Sequence, residues 1–262
     1  MKIFLSITKF LSSLHLRSTF SLLIGITFVN FFLVDENLFA LVSQQTGTTS
    51  LGLIGGVTRS QQNDLNALRT RANARANGIS TGTLEGGWEG GVILQKRVPN
   101  SVVAFQFRPS FFYQKEKGTG GTGTIYEGSY EYGTSGYTIA ALIKLYPLES
   151  NFIRLFFQAG VVWGKLTTQI TESTFDVEAK GSNLGYVGGL GVEFCMLPHC
   201  LILEAGARVL FLERNIVSLA KGIPAGDSIT QYEKDQELEY DHKDLQTNMS
   251  GVQTFVGYTV SF

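Results

Sequence analysis

The sequence predicts an all-β fold, a closed antiparallel eight-stranded transmembrane β-barrel, on the basis of three observations. The 262 residues include 30 glycines and only 5 prolines, and 12% of them are aromatic, which is typical of strands with close backbone approach and tight bends. Apolar and polar side chains alternate along eight segments of the chain. The connections between these segments are alternately short and long, as in antiparallel barrels that cross a membrane.

Charge and composition exclude several other classes of protein. The formal net charge is -1 and 16% of the residues are charged, against 44% that are hydrophobic, which excludes a disordered chain and a basic nucleic-acid binder. The 2 cysteines and 3 histidines are too few for a disulfide-dense scaffold or a histidine-based metal centre. We therefore expect no cofactor, no metal centre and no nucleic-acid partner.

Residues 1–43 are predicted to be a signal peptide, with the barrel domain in residues 44–262. An uncharged apolar run spans residues 18–34 and follows basic residues, which is the layout of a secretory signal. These basic residues are Lys2, Lys9 and Arg17. Ala40 or Ser43 ends a candidate cleavage site, although the leucines at the respective minus-three positions fit poorly. The alternative is a retained membrane helix at the short limit of a span.

Each predicted strand has an apolar face and a face of mainly small or polar residues. In the fifth segment, for example, Ile153, Leu155 and Phe157 alternate with Arg154 and Gln158, and successive side chains on a strand point to opposite sides. The predicted strands span residues 50–59, 87–97, 102–114, 134–147, 152–164, 183–195, 200–212 and 250–262.

The connections predict which end of the barrel carries the loops. The short turns lie at residues 98–101, 148–151 and 196–199, and the long connections at residues 60–86, 115–133, 165–182 and 213–250. Both chain ends are then expected on the short-turn, periplasmic side. A soluble β-sandwich is the alternative, but its second face would carry more charge, and its strands average about five to six residues, roughly half the length predicted for this chain.

Four aromatic residues are predicted to form a girdle at the outer membrane interface. Trp88, Tyr113, Tyr137 and Trp163 each lie about ten residues from the short-turn end of a predicted strand, and about ten tilted residues cross a bilayer.

The last strand resembles the terminal signal of outer-membrane barrels, in which a glycine precedes alternating apolar residues that end in Phe. The resemblance implies that Gly257, Val260 and Phe262 are recognised by the barrel-assembly machinery, or that Phe262 simply faces lipid. Phe255 is a departure, since that signal usually has a polar residue there. With the signal peptide and eight strands, the chain resembles the small porin-like OmpA/OmpX-type barrels. We expect a Sec-exported outer-membrane monomer in contact with lipid and lipopolysaccharide.

Seven charged residues fall on the inward face by parity, and unpaired ions in so narrow a lumen would be costly. They are Glu89, Arg108, Lys144, Arg154, Glu193, Glu204 and Arg208. If Arg97 faces Val102 across the first short turn, Glu89 comes within diagonal reach of Arg108. Arg154 and Glu193 are expected near the turn ends of neighbouring strands. A salt-bridged plug is favoured over a gated ion path, because eight strands leave little room for water.

Cys195 and Cys200 bracket a predicted short turn and are expected to face each other on the inner side of the hairpin. A disulfide fits this position in an exported protein, and two free thiols are the alternative.

Two long connections carry opposite charges and are the candidate binding surfaces. The first holds Arg69, Arg71 and Arg75, and the last holds Glu233, Asp235, Glu237, Glu239, Asp241 and Asp244. The two loops could clamp together, remain solvated, or contact a host ligand. The arginines could also bind lipopolysaccharide phosphate, and the acidic run a divalent ion, although it lacks the EF-hand spacing.

The function predicted from the sequence is a structural or ligand-binding, adhesive outer-membrane protein at the cell surface. The alternative is a narrow channel for small or hydrophobic solutes. An enzyme is not expected, because His199 and His242 lie in connections, away from any serine at the outer leaflet level.

Overall fold

The computed structural model describes residues 49–60, 62–75, 78–196, 198–212, 214–224 and 229–262. The predicted signal peptide lies outside the described residues. None of the helices in this part of the chain has the length and apolar character needed to cross a membrane.

The chain contains one helix and fourteen strands among the described residues. In chain order they are β1 (Thr49–Ser60), α1 (Asn63–Arg75), β2 (Gly86–Arg97), β3 (Val103–Gly120), β4 (Gly128–Glu149), β5 (Ile153–Glu172), β6 (Phe175–Met196), β7 (His199–Val209), β8 (Phe211–Leu212), β9 (Ile216–Lys221), β10 (Ile229–Gln231), β11 (Glu239–Tyr240), β12 (Lys243–Asp244), β13 (Thr247–Asn248) and β14 (Gly251–Ser261).

Eight of these strands close into a ring, which confirms the predicted antiparallel barrel. Strands β1 to β7 pair in sequence order, and β14 lies between β7 and β1. Closure leaves no unpaired edge around the barrel, a requirement for strands surrounded by lipid. The outward side chains of the barrel are exposed large hydrophobics such as Leu53, Phe105, Ile143 and Leu190.

Four strands extend far beyond the girdle, so two of the predicted long loops are wrong. Most of residues 115–133 and 165–182 belong to β3, β4, β5 and β6, and the remaining turns are residues 121–127 and 173–174. The alternation continues there with its phase inverted. On β5, Leu166 and Ile170 point inward and are fully buried, whereas Lys165 points outward and is exposed.

These extensions form part of a second packed region, which we call the cap: the described residues of 62–85, 115–134, 165–182 and 214–249. The cap has its own hydrophobic core, built from side chains that share an inward orientation and near-complete burial. The core residues are Leu65, Leu68, Ala72, Ile79, Leu84, Tyr130, Tyr132, Ile170, Phe175, Val177, Ala179, Val217, Ile229, Leu238 and Leu245. The cap is therefore a folded region rather than a set of solvated loops.

The helix α1 replaces part of the first predicted long loop. Leu65, Leu68 and Ala72 are spaced to fall on one side and are buried in the cap core. Asp64 lies in the first turn and Arg75 in the last, the charge order that complements the helix dipole. The Asn66 amide fixes the returning chain, since it donates to Leu84 O (3.1 Å) and accepts from Leu84 N (2.9 Å).

An apolar layer lies where the lumen meets the cap. It consists of Phe112, Leu166, Leu210, Leu212 and Met249, each at most 1% exposed. On β3 and β5 these residues follow the inward positions of the barrel and precede those of the cap. Side chains thus close the upper mouth of the barrel, which is the end next to the cap and opposite the short turns.

Candidate functional site

Glu89 is the centre of the lumen network nearest the cap. Its carboxylate accepts hydrogen bonds from Arg208 Nη1 (2.8 Å), Gln253 Nε2 (3.2 Å), Thr58 Oγ1 (3.3 Å) and Thr138 Oγ1 (3.1 Å). All five side chains are at most 2% exposed. This buried carboxylate is fully compensated by one cation and three neutral donors.

Arg108 pairs with Glu204 in the middle of the lumen, with 2.7 Å between Nη1 and Oε1. The sequence-based pairing of Arg108 with Glu89 is therefore wrong. The cause is the register, because Arg97 lies opposite Ala104 rather than Val102 and every later pair shifts by two residues. The guanidinium of Arg108 also lies over the Phe255 ring, 4.9 Å from its centroid.

A third network fills the short-turn end. Lys144 Nζ lies 3.1 Å from Glu193 Oε1, which also accepts a 2.8 Å hydrogen bond from Tyr146. Arg154 stands opposite Glu193 on the neighbouring strand, but its ion-pair partner is Glu149, at 3.0 Å.

Sequence reasoning missed two members of this third network, Arg97 and Glu149. Arg97 Nη1 lies 2.5 Å from Glu149 Oε1. A β-bulge between Leu145 and Leu148 shifts the alternation of β4, so simple parity does not turn Glu149 inward. Arg97 lies an even number of residues from Glu89 on β2 and therefore also points inward. It was not included among the lumen charges because it lies at the end of the strand.

The lumen also contains large apolar side chains, beside the mainly small or polar residues predicted for the inner face. Phe156, Phe255, Ile93 and Ile202 are at most 1% exposed inside the barrel. A polar cavity of about 10 Å³ at the short-turn end has room for about one water molecule. Ion pairs and packed apolar side chains thus occupy the described lumen, as the plug interpretation expects.

Cys195 and Cys200 are joined by a disulfide across the β6–β7 hairpin, as one of the two sequence alternatives proposed. Both residues are buried, and their side chains face inward beside Glu193. These three side chains are the one cluster of possible metal ligands among the described residues. Because the two sulfurs are bonded to each other, the cluster does not offer a thiolate metal site.

The four girdle residues lie on adjacent strands and point outward. Trp88 stands opposite Tyr113, with 5.8 Å between their ring centroids, and Tyr137 contacts Phe111 at 5.4 Å. Trp163 lies opposite Ile139 on the next strand. Tyr186 on β6, which is 69% exposed, extends this aromatic band.

The residues of the terminal signal lie on β14 and just after it. Phe262 is 70% exposed, and its backbone pairs with Thr49 in both directions. Gly257 lies between Ile54 and Ile202, and a Cβ there would sit 3.1 Å from the Leu53 carbonyl oxygen. Phe255, the departure from the signal, is buried in the lumen beneath Arg108.

The three arginines of the first connection are held within the cap. Arg69 Nη1 donates to Thr81 O at 2.8 Å, Arg71 pairs with Asp241 at 3.0 Å, and Arg75 pairs with Glu172. The predicted clamp between the first and last loops is thus present at Arg71–Asp241, whereas Arg75 binds the β5 extension instead.

The acidic residues of the last connection are dispersed. Glu237 pairs with Arg214, and Glu233 accepts a 3.0 Å hydrogen bond from Gln236. Glu239 lies opposite Asp244 in the β11–β12 pair, and Asp235 adopts a positive φ of 67° in a turn. In the described cap, these carboxylates do not converge in the way an ion-binding cluster requires.

A buried ion pair that sequence reasoning missed joins α1 to the strand wall of the cap. Glu172 is fully buried, pairs with Arg75, and accepts a 2.8 Å hydrogen bond from Tyr132. Burial and the adjacent Glu172 carboxylate raise the pKa of Tyr132 above its ordinary value of 10.0. The inverted alternation around Tyr132 and Ile170 was the available sequence signal.

Two exposed isoleucines flank the tip of the β5–β6 hairpin. Ile125 is 87% exposed and Ile223 is 76% exposed. Ser173 Oγ at the hairpin tip donates to Glu127 O at 2.8 Å, and Gly222 packs against the Thr174 carbonyl on the other side. Both isoleucines therefore project from turns that contact the same hairpin tip.

No protein-family model matches the chain, and no curated protein matches it in sequence. Among solved structures it is similar to the outer membrane protein OprG from Pseudomonas aeruginosa, with a TM-score of 0.50 and 11% identity over 84% of this chain and 99% of that one.

Weaker similarities are to Ail, the attachment invasion locus protein of Yersinia pestis (TM-score 0.36, 11% identity, 83% and 99% coverage of this chain and that one), and to the translocator domain of the autotransporter NalP from Neisseria meningitidis (TM-score 0.34, 10% identity, 91% and 96% coverage). The ring of strands and the similarity to OprG together establish that the chain has the fold of an outer-membrane β-barrel.

Proposed function

We propose that the chain is an integral protein of the bacterial outer membrane that displays its cap at the cell surface, where the cap binds a protein partner. The observation that carries this proposal is the combination of a plugged barrel with a separately packed cap at one end. The barrel then acts as an anchor, because its charges are paired and its upper mouth is closed.

We propose the hairpin tip as the contact surface of the cap. Apolar side chains that are exposed close together on a folded surface are typical of sites that bind other proteins, and Ile125 and Ile223 lie in turns on the two sides of one hairpin tip. Ile125 and Ile223 are the most exposed hydrophobic residues of the described cap, and the folded core beneath them holds their turns in place.

The outer-membrane location also implies an export pathway, an assembly machinery and lipid contacts for the chain. We propose export through the Sec pathway by residues 1–43, insertion by the barrel-assembly machinery through Gly257, Val260 and Phe262, and a monomer surrounded by outer-membrane lipid.

We also propose that the chain is not an enzyme. His199 is the first residue of β7 and stacks on Tyr258, and in the described chain neither histidine ring is hydrogen-bonded to a serine.

Two measurements test the proposed function. Single-channel recording of the reconstituted chain should detect no steady conductance, whereas a steady conductance that changes in Arg108→Ala would support the channel alternative.

Cells producing the chain should attach to epithelial monolayers more than cells without it. Ile125→Ser/Ile223→Ser should abolish the difference, and Thr122→Ala, an exposed change in the same turn, should not. Equal attachment by all strains would contradict the binding role.

A further inference from the structure

We propose that a set of four outward residues on β5 and β6 binds the phosphate of a lipid headgroup in the surrounding membrane leaflet. The residues are Lys165, Thr167, Lys180 and Ser182, which we call the lysine square. This inference rests on the proposed outer-membrane location, and it assigns lipid binding to residues other than the arginines of the first connection.

The register of the two strands sets the geometry of the lysine square. Lys165 lies directly opposite Ser182, and Thr167 directly opposite Lys180. Directly opposed residues have Cβ atoms roughly 5 Å apart and diagonal ones about 7–8 Å apart. The two ammonium groups therefore stand on one diagonal and the two hydroxyls on the other. A phosphate between them would receive hydrogen bonds from four donors, two of them charged.

The two lysines of the square are exposed and available. No ion pair or side-chain hydrogen bond to Lys165 or Lys180 occurs among the described residues, and the nearest carboxylate along this face of β6 is Glu178. Other lysines of the wall differ, since Lys115 and Lys117 both pair with Glu131.

The pKa of Glu131 indicates how firmly it holds those other lysines. Burial alone would raise this pKa, but the ammonium groups of Lys115 and Lys117 outweigh burial and hold it below its ordinary value. Their positive charge is thus neutralised within the protein, unlike that of the lysine square.

The position of the lysine square favours a membrane lipid as its occupant. Lys165 stands opposite Tyr137 and one outward position beyond Trp163, both in the aromatic band. Leu184, 59% exposed, lies one outward position from Ser182 on the barrel side. Apolar surface on one side and free cations on the other match the boundary between acyl chains and phosphates, where lysine stems can lie along the apolar surface.

The arginines of the first connection are a poorer site for the same phosphate. Arg71 and Arg75 are already paired with carboxylates, and Arg69 donates to a backbone carbonyl. A phosphate would have to displace these partners. The lysine square requires no such exchange.

The test titrates the purified full-length mature chain in zwitterionic detergent with bis-phosphorylated lipid A, and native mass spectrometry counts the bound lipid. Lys165→Gln/Lys180→Gln should weaken binding by about thirtyfold, since each of the two lysines near an anionic headgroup contributes on the order of 1 kcal/mol. The matched control Lys96→Gln/Lys117→Gln removes the same charge from outward positions elsewhere and should change binding less than about twofold. Dephosphorylated lipid A should not distinguish the three proteins.

Equal losses in both double variants, or no loss in either, would overturn the proposal. Competition by millimolar inorganic phosphate would also overturn it, since it would mean that the free ion rather than the lipid is the ligand. The variants leave Ile125 and Ile223 intact, so attachment to epithelial cells reports separately on the proposed function.

Discussion

The barrel and the cap are built from the same strands, yet the barrel interior contains buried charges among its apolar side chains, whereas the core of the cap is mainly apolar. On β5, the inward residues Arg154 and Gln158 lie in the barrel, whereas Leu166 and Ile170 lie in the apolar layer and the cap. Where a strand is surrounded by water, burying an apolar side chain is favourable by about 25 cal/mol per Å². Where it is surrounded by lipid, an apolar side chain can face outward without this loss of free energy. Whether lipid or water surrounds a strand therefore decides whether its outward face is apolar or polar. The inward face carries the other residues of the strand.

Removing Arg208 tests the barrel half of this comparison and should have the largest effect. Arg208→Ala leaves Glu89 buried without its cation, and breaking a buried ion pair costs about 3–5 kcal/mol. Thermal unfolding followed by the gel shift of the folded barrel should occur at lower temperature. Arg214→Ala, at an exposed position, is the control, and equal behaviour of both variants would contradict a charge-stabilised lumen.

Truncating Leu68 tests the cap half. Leu68 is fully buried in the cap core, so Leu68→Ala should destabilise the cap by about 3 kcal/mol. Hydrogen exchange should become faster in α1 while the barrel strands keep their protection. Thr70→Ala on the exposed side of the helix should leave exchange unchanged. Equal acceleration in the barrel would mean that the two regions unfold as one unit.

Alkaline pH should weaken the cap through Tyr132. The pKa of Tyr132 is raised in the folded chain, so its stabilising contribution is present below the unfolded pKa of 10.0 and is lost as the pH rises above that value. The free energy of unfolding of the cap should therefore fall with each pH unit above 10.0. Circular dichroism in the near ultraviolet should detect this loss. Tyr132→Phe should lack the alkaline step, and an identical step in that variant would assign it to another group.

Breaking Arg71–Asp241 should have the smallest effect. Both side chains are about half exposed, and exposed ion pairs contribute little because water and salt screen them. Arg71→Ala should leave hydrogen exchange in α1 and β11 unchanged at physiological salt. A large acceleration there would make the loop clamp a main support of the cap.

The sequence was sufficient to predict the barrel because its strands alternate with one phase and are separated by recognisable turns. The same alternation marks the inward charges, although their partners depend on register. A two-residue shift at Arg97 and a bulge before Leu148 changed the pairing of Arg108 and Arg154. Neither feature has a strong local sequence signal.

The cap was not predicted because its strands were expected to have apolar residues on the outward side, as the barrel strands do. Tyr132, Ile170 and Val177 alternate with polar residues, as in any strand between water and a core. A phase inversion along one segment was therefore the signal of a strand that leaves the membrane. The burial of Glu172 with Arg75 depends on contacts between distant segments, and no local pattern specifies it.

Spin-label accessibility along the outward face of β5 tests the central claim most directly. Single labels at Leu155, Val161, Thr167 and Thr171 would be placed in a Cys195→Ser/Cys200→Ser background and reconstituted in bilayers. We predict that labels at the first two positions collide mainly with oxygen dissolved in lipid. Labels at the last two should collide mainly with a water-soluble nickel chelate. Nickel access at all four positions, with no change of environment between Val161 and Thr167, would contradict the account.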